Sequence, residues 1–227
     1  MIYIYITFLA TFVTSSSICF INDILINKDS KESDYIKGQY RDIIPTVLTN
    51  IFVYIPIISI LSEYNLRINY SWEDFNLFQC MYSIFFAYLL IDLFFFTCHR
   101  IMHIPIIYKW SHKLHHKYKY TVGMEALYLH WFDLYFGNIM PLNLPIIIMP
   151  NLHIITWMLY MVIIISSTVL SSHGLLAPND HDIHHIYFNY NYGTGMYMDY
   201  IFNTVQKPIH SNIPTNIQRI SKIKNKD

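Results

Sequence analysis

The chain has 227 residues, 54% of them hydrophobic and only 13% charged, and its 15 basic and 15 acidic side chains cancel to a formal net charge of zero. That balance excludes a nucleic-acid binder, which needs a basic surface, and three cysteines are too few for a disulfide-built module. The apolar residues come in long runs rather than in short amphipathic stripes, which is the signature of a membrane protein.

A helix that crosses the roughly 30 Å hydrocarbon core needs about 20 mostly apolar residues. Residues 1–26 are apolar apart from a Thr/Ser patch, Asn22 and Asp23, and 43–61 and 75–98 are the next two candidates. The first segment has neither a basic n-region nor a small-residue cleavage site, so it is expected to stay as a span. The stretch 134–172 is long enough for two crossings, with Pro150-Asn151 as the turn between them. Its first arm is interrupted by Pro141 and Pro145, and is expected to be kinked or re-entrant. Cys19, Cys80 and Cys98 lie in or beside these spans without metal-ligand spacing and read as small core residues. Asn69-Tyr70-Ser71 matches a glycosylation acceptor. The fold class expected is all-α and membrane-embedded, with about four to five transmembrane or re-entrant helices. It divides into an N-terminal membrane region (1–74), a core (75–206) and a polar tail (207–227) of one domain.

Eight of the 12 histidines fall in three boxes: His99-Arg-Ile-Met-His103, His112-Lys-Leu-His115-His116 and His181-Asp-Ile-His184-His185. At this histidine content an HxxHH pattern arises by chance roughly 0.03 times in a chain this long, so two copies are not noise. On a helix, i, i+3 and i+4 share a face, so each HxxHH is expected to present three imidazoles to one point. Eight or more ligands exceed the three or four that one zinc ion takes from protein, and two metal ions are the economical reading.

The hairpin returns the chain to the side it left, which puts all three boxes on one face. The segments on that face hold 14 of the 15 Lys and Arg, and Arg67 alone lies opposite, so the positive-inside rule puts the boxes in the cytosol. His153 then falls on the far side and His210 in the tail, and both are expected to be bystanders. Asp92 lies in an apolar span, where a charge costs a few kcal/mol, seven residues before His99 and on the same helical face. It is expected to accept the second ring N–H of a histidine ligand. Glu125 and Asp182 are further candidates for that supporting role.

At the boxes the chain resembles the fatty acid hydroxylase and sterol desaturase superfamily, and most closely its 4-methylsterol monooxygenase branch. The likeness runs from Asp92 through HRIMH, IYKWSHKLHHKY and VGMEALYLH to Asp133, and again through HDIHH, NYNYG, Asp199 and YIFNT, about a third of the chain. The resemblance implies a non-haem di-iron site that uses dioxygen to oxidise an unactivated C–H bond. Its ligands would be the eight box histidines with His173, at the end of the last span, and His130, after the GMEA segment. It also implies electrons from NAD(P)H through a b-type cytochrome and a reductase, a membrane-dissolved substrate and the endoplasmic reticulum. A 4-methyl sterol is the first substrate expected; fatty acyl or sphingoid hydroxylation and sterol desaturation use the same metal chemistry. The chain departs from its relatives at His130-Trp-Phe-Asp133, where they read His-Pro-x-Glu, and at Phe202-Asn-Thr204, where they read Phe-Gly-Thr. The interval from His173 to His181 is also short. A metal transporter would carry polar residues through its spans, which here are apolar apart from Asp92, and no HExxH supports a zinc protease. An inactive scaffold would have no reason to keep intact boxes.

Overall fold

The computed structural model describes residues 2–26, 33–63, 68–119, 121–149, 151–173 and 180–206. Four helices in it are long and apolar enough to cross a membrane, at Ile2–Ile24, Asp34–Ile60, Leu77–Met102 and Ile154–Ser172. The chain is thus a multi-pass, all-α protein by the length and composition of its helices.

Helix α1 (Ile2–Phe20) runs antiparallel to the second span, with the Tyr5 hydroxyl donating to the Ile51 carbonyl. The second span is built from α2 (Ser33–Thr49), a π-helical turn (Asn50–Tyr54) and α3 (Ile55–Glu63). It begins nearer the N-terminus than hydropathy alone places it, with Gln39 and Tyr40 of its first turns buried against protein. Pro45 removes one backbone hydrogen bond inside α2. The turn that follows points Asn50 inward, where its side-chain amide donates to the carbonyls of Leu127 (2.8 Å) and Leu129 (2.9 Å). A span and the segment beyond the second box are thereby tied together.

Strand β1 (Ile68–Asn69) precedes α4 (Leu77–Met102), whose N-cap Asn76 accepts from the Gln79 amide. After α4 come the short turns α5 (Pro105–Ile107) and α6 (Trp131–Asp133), then α7 (Met140–Ile148), which packs along α4. Helices α6 and α7 join through a π-helical turn at Leu134–Ile139, so the first arm of the hairpin is irregular and Pro145 lies inside it. Asn151 takes φ 60° in the reversal, and Pro150 lies outside the described residues.

Strand β2 (Leu152–His153) pairs in parallel with β1, Ile68 opposite Leu152. His153 donates to or accepts from nothing near the boxes: its ring bonds the Ser71 carbonyl and caps α8 (Ile154–Ser166). The starts of α4 and α8 therefore meet at one end of the bundle, and their C-terminal ends bring His99, His103 and His173 together at the other. Helices α9 (Asp180–Tyr187) and α10 (Tyr197–Ile201) close that end. Phe12, Cys19, Ile43, Val47, Leu129 and Val169 form the main buried cluster, which joins α1, α2 and α8 to the segment after the second box. Many of the large apolar side chains left exposed, among them Phe52, Phe78, Met81 and Phe85, lie on the spans, as a lipid-facing surface requires.

Candidate metal centre

Nine histidines converge at the closed end of the bundle, in two groups. His99, His103, His112, His116 and His184 form the first, and His115, His173, His181 and His185 the second; within each, one ring nitrogen per residue lies within 4.8 Å of the others. Seven of the nine are buried.

Neither HxxHH box serves a single point. His112 and His116 go to the first group and His115 to the second, whereas His181 and His185 go to the second and His184 to the first. In the third box, on α9, the cause is α-helical geometry: at about 100° per residue, i+4 lies about 40° to one side of i and i+3 about 60° to the other. An i, i+4 pair therefore holds together, and the i+3 member diverges by about 100° from i+4. The second box is irregular instead: His112 ends a π-helical turn, and His115 and His116 lie in a tight 3-10 turn in which His116 adopts φ −81°, ψ 17°. Each group thus takes an i, i+4 pair from one box and a single ring from the other.

The ring nitrogens face one another. Nε2–Nε2 separations are 3.0 Å for His103–His184, 3.1 Å for His112–His116, 3.2 Å for His116–His184 and 3.1 Å for His181–His185. Two ligands at right angles on arms of about 2.1 Å stand about 3.0 Å apart, so the spacing suits imidazoles around a transition metal. The opposite ring edges are held by acceptors. Nδ1 of His99 bonds the Tyr192 carbonyl (2.8 Å), His184 the Tyr190 carbonyl (2.6 Å), His173 the Thr168 carbonyl (2.9 Å) and His185 the Tyr118 carbonyl (3.1 Å). His112 bonds the Asp133 carboxylate at 2.7 Å. With Nδ1 protonated in this way, Nε2 carries the free lone pair, and the buried Nε2 atoms of His99 and His173 have no hydrogen-bond partner among the described residues. Burial, reinforced by neighbouring imidazoles, holds His115, His116, His181, His184 and His185 well below the ordinary histidine range, and burial pushes His173 down to about 4. These six rings are neutral at physiological pH, the form that ligates.

Three residues expected at the site, His130, Asp92 and Glu125, bond elsewhere, whereas Asp182 stays buried beside His181 on α9. His130 joins neither group: its Nδ1 accepts from the Phe132 amide and its ring packs against Trp110. Asp92 accepts from the amides of Gly195 (2.6 Å) and Met198 (3.1 Å) rather than from a ring. Glu125 accepts from the Gln39 side chain (2.8 Å) and the Val122 amide, and burial raises its pKa well above the carboxylate range. Asp182 accepts from the Thr121 hydroxyl. The carboxylate seen to support a ring is Asp133, fully buried on α6, to which the sequence assigns no role. An acid at the head of an apolar arm was its available signal. His210 and the interval 174–179 lie outside the described residues.

An apolar cavity leads away from the two groups. His99, His112, His115, His173 and His181 stand at its end, and it rises between α1, α3, α4, α7 and α8 past Phe8, Ile55, Phe95 and Trp157.

The model of the fatty acid hydroxylase family matches residues 84–204, which contain all nine histidines and more than half of the chain. The chain belongs to the fatty acid hydroxylase family. A fatty acid hydroxylase of Mycosarcoma maydis is 31% identical over 177 residues, covering 74% of this chain and 46% of that protein. A Delta(7)-sterol 5(6)-desaturase of Eremothecium gossypii is 29% identical over 143 residues (59% of this chain, 40% of that protein). Methylsterol monooxygenase 2-2 of Arabidopsis thaliana is 30% identical over 152 residues (59% and 54%). The chain spans about half or less of the length of these relatives. No solved structure matched it.

Proposed function

We propose that this chain is a membrane lipid monooxygenase whose two histidine groups each hold one iron ion, and that its first substrate is a 4-methyl sterol oxidised at the methyl carbon. The observation that carries the reading is the convergence of nine imidazoles, five of them oriented through Nδ1 by a backbone carbonyl or a carboxylate, at the end of an apolar cavity inside the spans. His99, His103, His112, His116 and His184 would hold one ion and His115, His173, His181 and His185 the other. Iron, unlike zinc, supplies the redox chemistry that activates dioxygen toward a C–H bond.

The protein's own part is positional. The carbonyls of Tyr118, Thr168, Tyr190 and Tyr192 and the Asp133 carboxylate fix the rings, and the apolar cavity walls admit a lipid and exclude water. The chain carries no dinucleotide-binding glycine motif and no haem-attachment CxxCH, so electrons come from outside, through a b-type cytochrome and an NAD(P)H-dependent reductase. With the histidine end in the cytosol, as the lysine and arginine distribution favours, such carriers reach it from the cytosolic face of the endoplasmic reticulum.

The test is lipid analysis of sterol-auxotrophic cells that lack their own 4-methylsterol oxidase and express this chain or its His115→Ala/His116→Ala variant. Loss of accumulated 4-methyl sterols with the intact chain alone supports the reading. Persistence of those sterols with the iron-loaded protein present would move fatty acyl or sphingoid hydroxylation to the front.

A further inference from the structure

A carboxylate buried in a membrane span demands partners, and those of Asp92 lie 102 to 106 residues away in a loop that carries no metal-ligating side chain. Asp92 is fully buried in α4. Its Oδ1 accepts from the Gly195 amide at 2.6 Å and the Thr194 hydroxyl at 3.4 Å, and its Oδ2 from the Met198 amide at 3.1 Å. The Tyr197 hydroxyl adds a bond to the Leu89 carbonyl of the same helix. On the other side of the loop Asp199 accepts from the amides of Tyr192 (2.9 Å) and Gly193 (2.7 Å) and from the Thr204 hydroxyl (2.7 Å). Gly193 is threaded between the two acids: a Cβ there would stand 2.5 Å from Asp92 Oδ1 and 3.0 Å from Asp199 Oδ2, so only glycine fits. Phe188, Asn191 and Met196 all take positive φ in this strap, a costly conformation for residues other than glycine that persists only under such restraint.

The strap's carbonyls face the metal centre. Tyr190 holds Nδ1–H of His184 at 2.6 Å and Tyr192 holds that of His99 at 2.8 Å. Both rings belong to the five-histidine group, whereas the acceptors for His173 and His185 in the other group are Thr168 and Tyr118, outside the strap.

We infer that Asp92 is a positioning residue for the five-histidine centre: by clamping the strap to α4 it fixes two backbone carbonyls, and through them the tautomer and aim of His99 and His184. The inference rests on the two-metal reading for its consequence and on the hydrogen bonds for its cause. Asp92→Asn keeps the shape and is cheaper to insert in a bilayer, but it turns a donor toward the Gly195 or Met198 amide and so breaks the clamp. Gly193→Ala breaks it from the other side with Asp92 intact.

The experiment measures two things on full-length protein in lipid nanodiscs. The first is ferrous iron bound per chain. The second is the ¹⁵N spectrum of histidine-labelled, metal-free protein, with His99 and His184 assigned from single-site variants. In both variants the Nδ1–H signals of His99 and His184 are expected to be lost while those of His173 and His185 persist. Iron affinity is expected to fall about 10–100-fold at one centre only. Retention of the Nδ1–H signals of His99 and His184 in both variants overturns the inference, whatever the iron content. Loss of those signals in a protein whose unaltered form binds fewer than two irons upholds the clamp and contradicts the two-iron reading instead.

Discussion

Replacing Asp133 measures what a carboxylate contributes to one histidine of the pair of centres. Its Oδ2 lies 2.7 Å from His112 Nδ1, with the two side chains 0% and 3% exposed, so the bond is shielded from bulk water. Asp133→Ala leaves a buried ring N–H without an acceptor. A hydrogen bond to a charged group nets about 1.5–3 kcal/mol, and at about 1.4 kcal/mol per decade this is roughly 10- to 100-fold in affinity. Loss of a group that supports a metal ligand falls in the same range, about 10- to 100-fold. Asp133→Asn can still offer an oxygen in the same place without its charge, so about half of that free energy, roughly 3- to 10-fold, is expected to go. The assay is competition for ferrous iron with a chelator of known affinity, in detergent, with His173→Ala marking the four-histidine centre. Only the phase that His173→Ala leaves untouched should weaken. Asp133→Ala that leaves both phases within twofold, or weakens both equally, would refute the claim that this acid orients His112.

Other consequences follow from the same contacts. His130→Ala should leave iron stoichiometry unchanged, because its ring caps α6 and packs on Trp110 away from both groups; loss of a metal in that variant would show a rearrangement on loading. Asn50→Leu strands the buried carbonyls of Leu127 and Leu129 and should destabilise the protein by about 2 kcal/mol or more, read as a lower unfolding temperature in detergent. Acidification should destabilise the metal-free protein. His173 has its pKa pushed down from 6.5 to about 4 by burial, so the unfolded chain binds protons that the folded one refuses. Stability is then complete above about pH 6.5 and falls as pH drops toward 4. An unfolding temperature no lower at pH 5 than at pH 7.5 would contradict this.

The spans were legible in the sequence because a hydrocarbon core imposes a length and a composition that few other environments do. The histidine boxes were legible for a similar reason: three or four imidazoles at helical spacing have few uses besides a metal. Their division between two centres was not, since it depends on i+3 and i+4 diverging around the axis and on a break after His115, neither of which a box pattern displays. Asp92 shows the limit of periodicity in another way. Seven residues bring it onto the face of His99 but leave it about 10.5 Å lower along the helix, beyond hydrogen-bond reach, and its actual partners come from a loop over a hundred residues away. Asp133 and His112 meet across 21 residues and two irregular turns, a juxtaposition that only the folded chain creates.

Incorporation of ¹⁸O₂ tests the central proposal most directly. The iron-loaded protein, reconstituted with a b-type cytochrome, its reductase and NADPH, would be given a 4-methyl sterol under labelled oxygen and the products weighed by mass spectrometry. A product hydroxylated on the 4-methyl carbon and carrying ¹⁸O is the predicted result, absent in His115→Ala/His116→Ala. Recovery of the sterol unchanged while electrons reach the iron would contradict it.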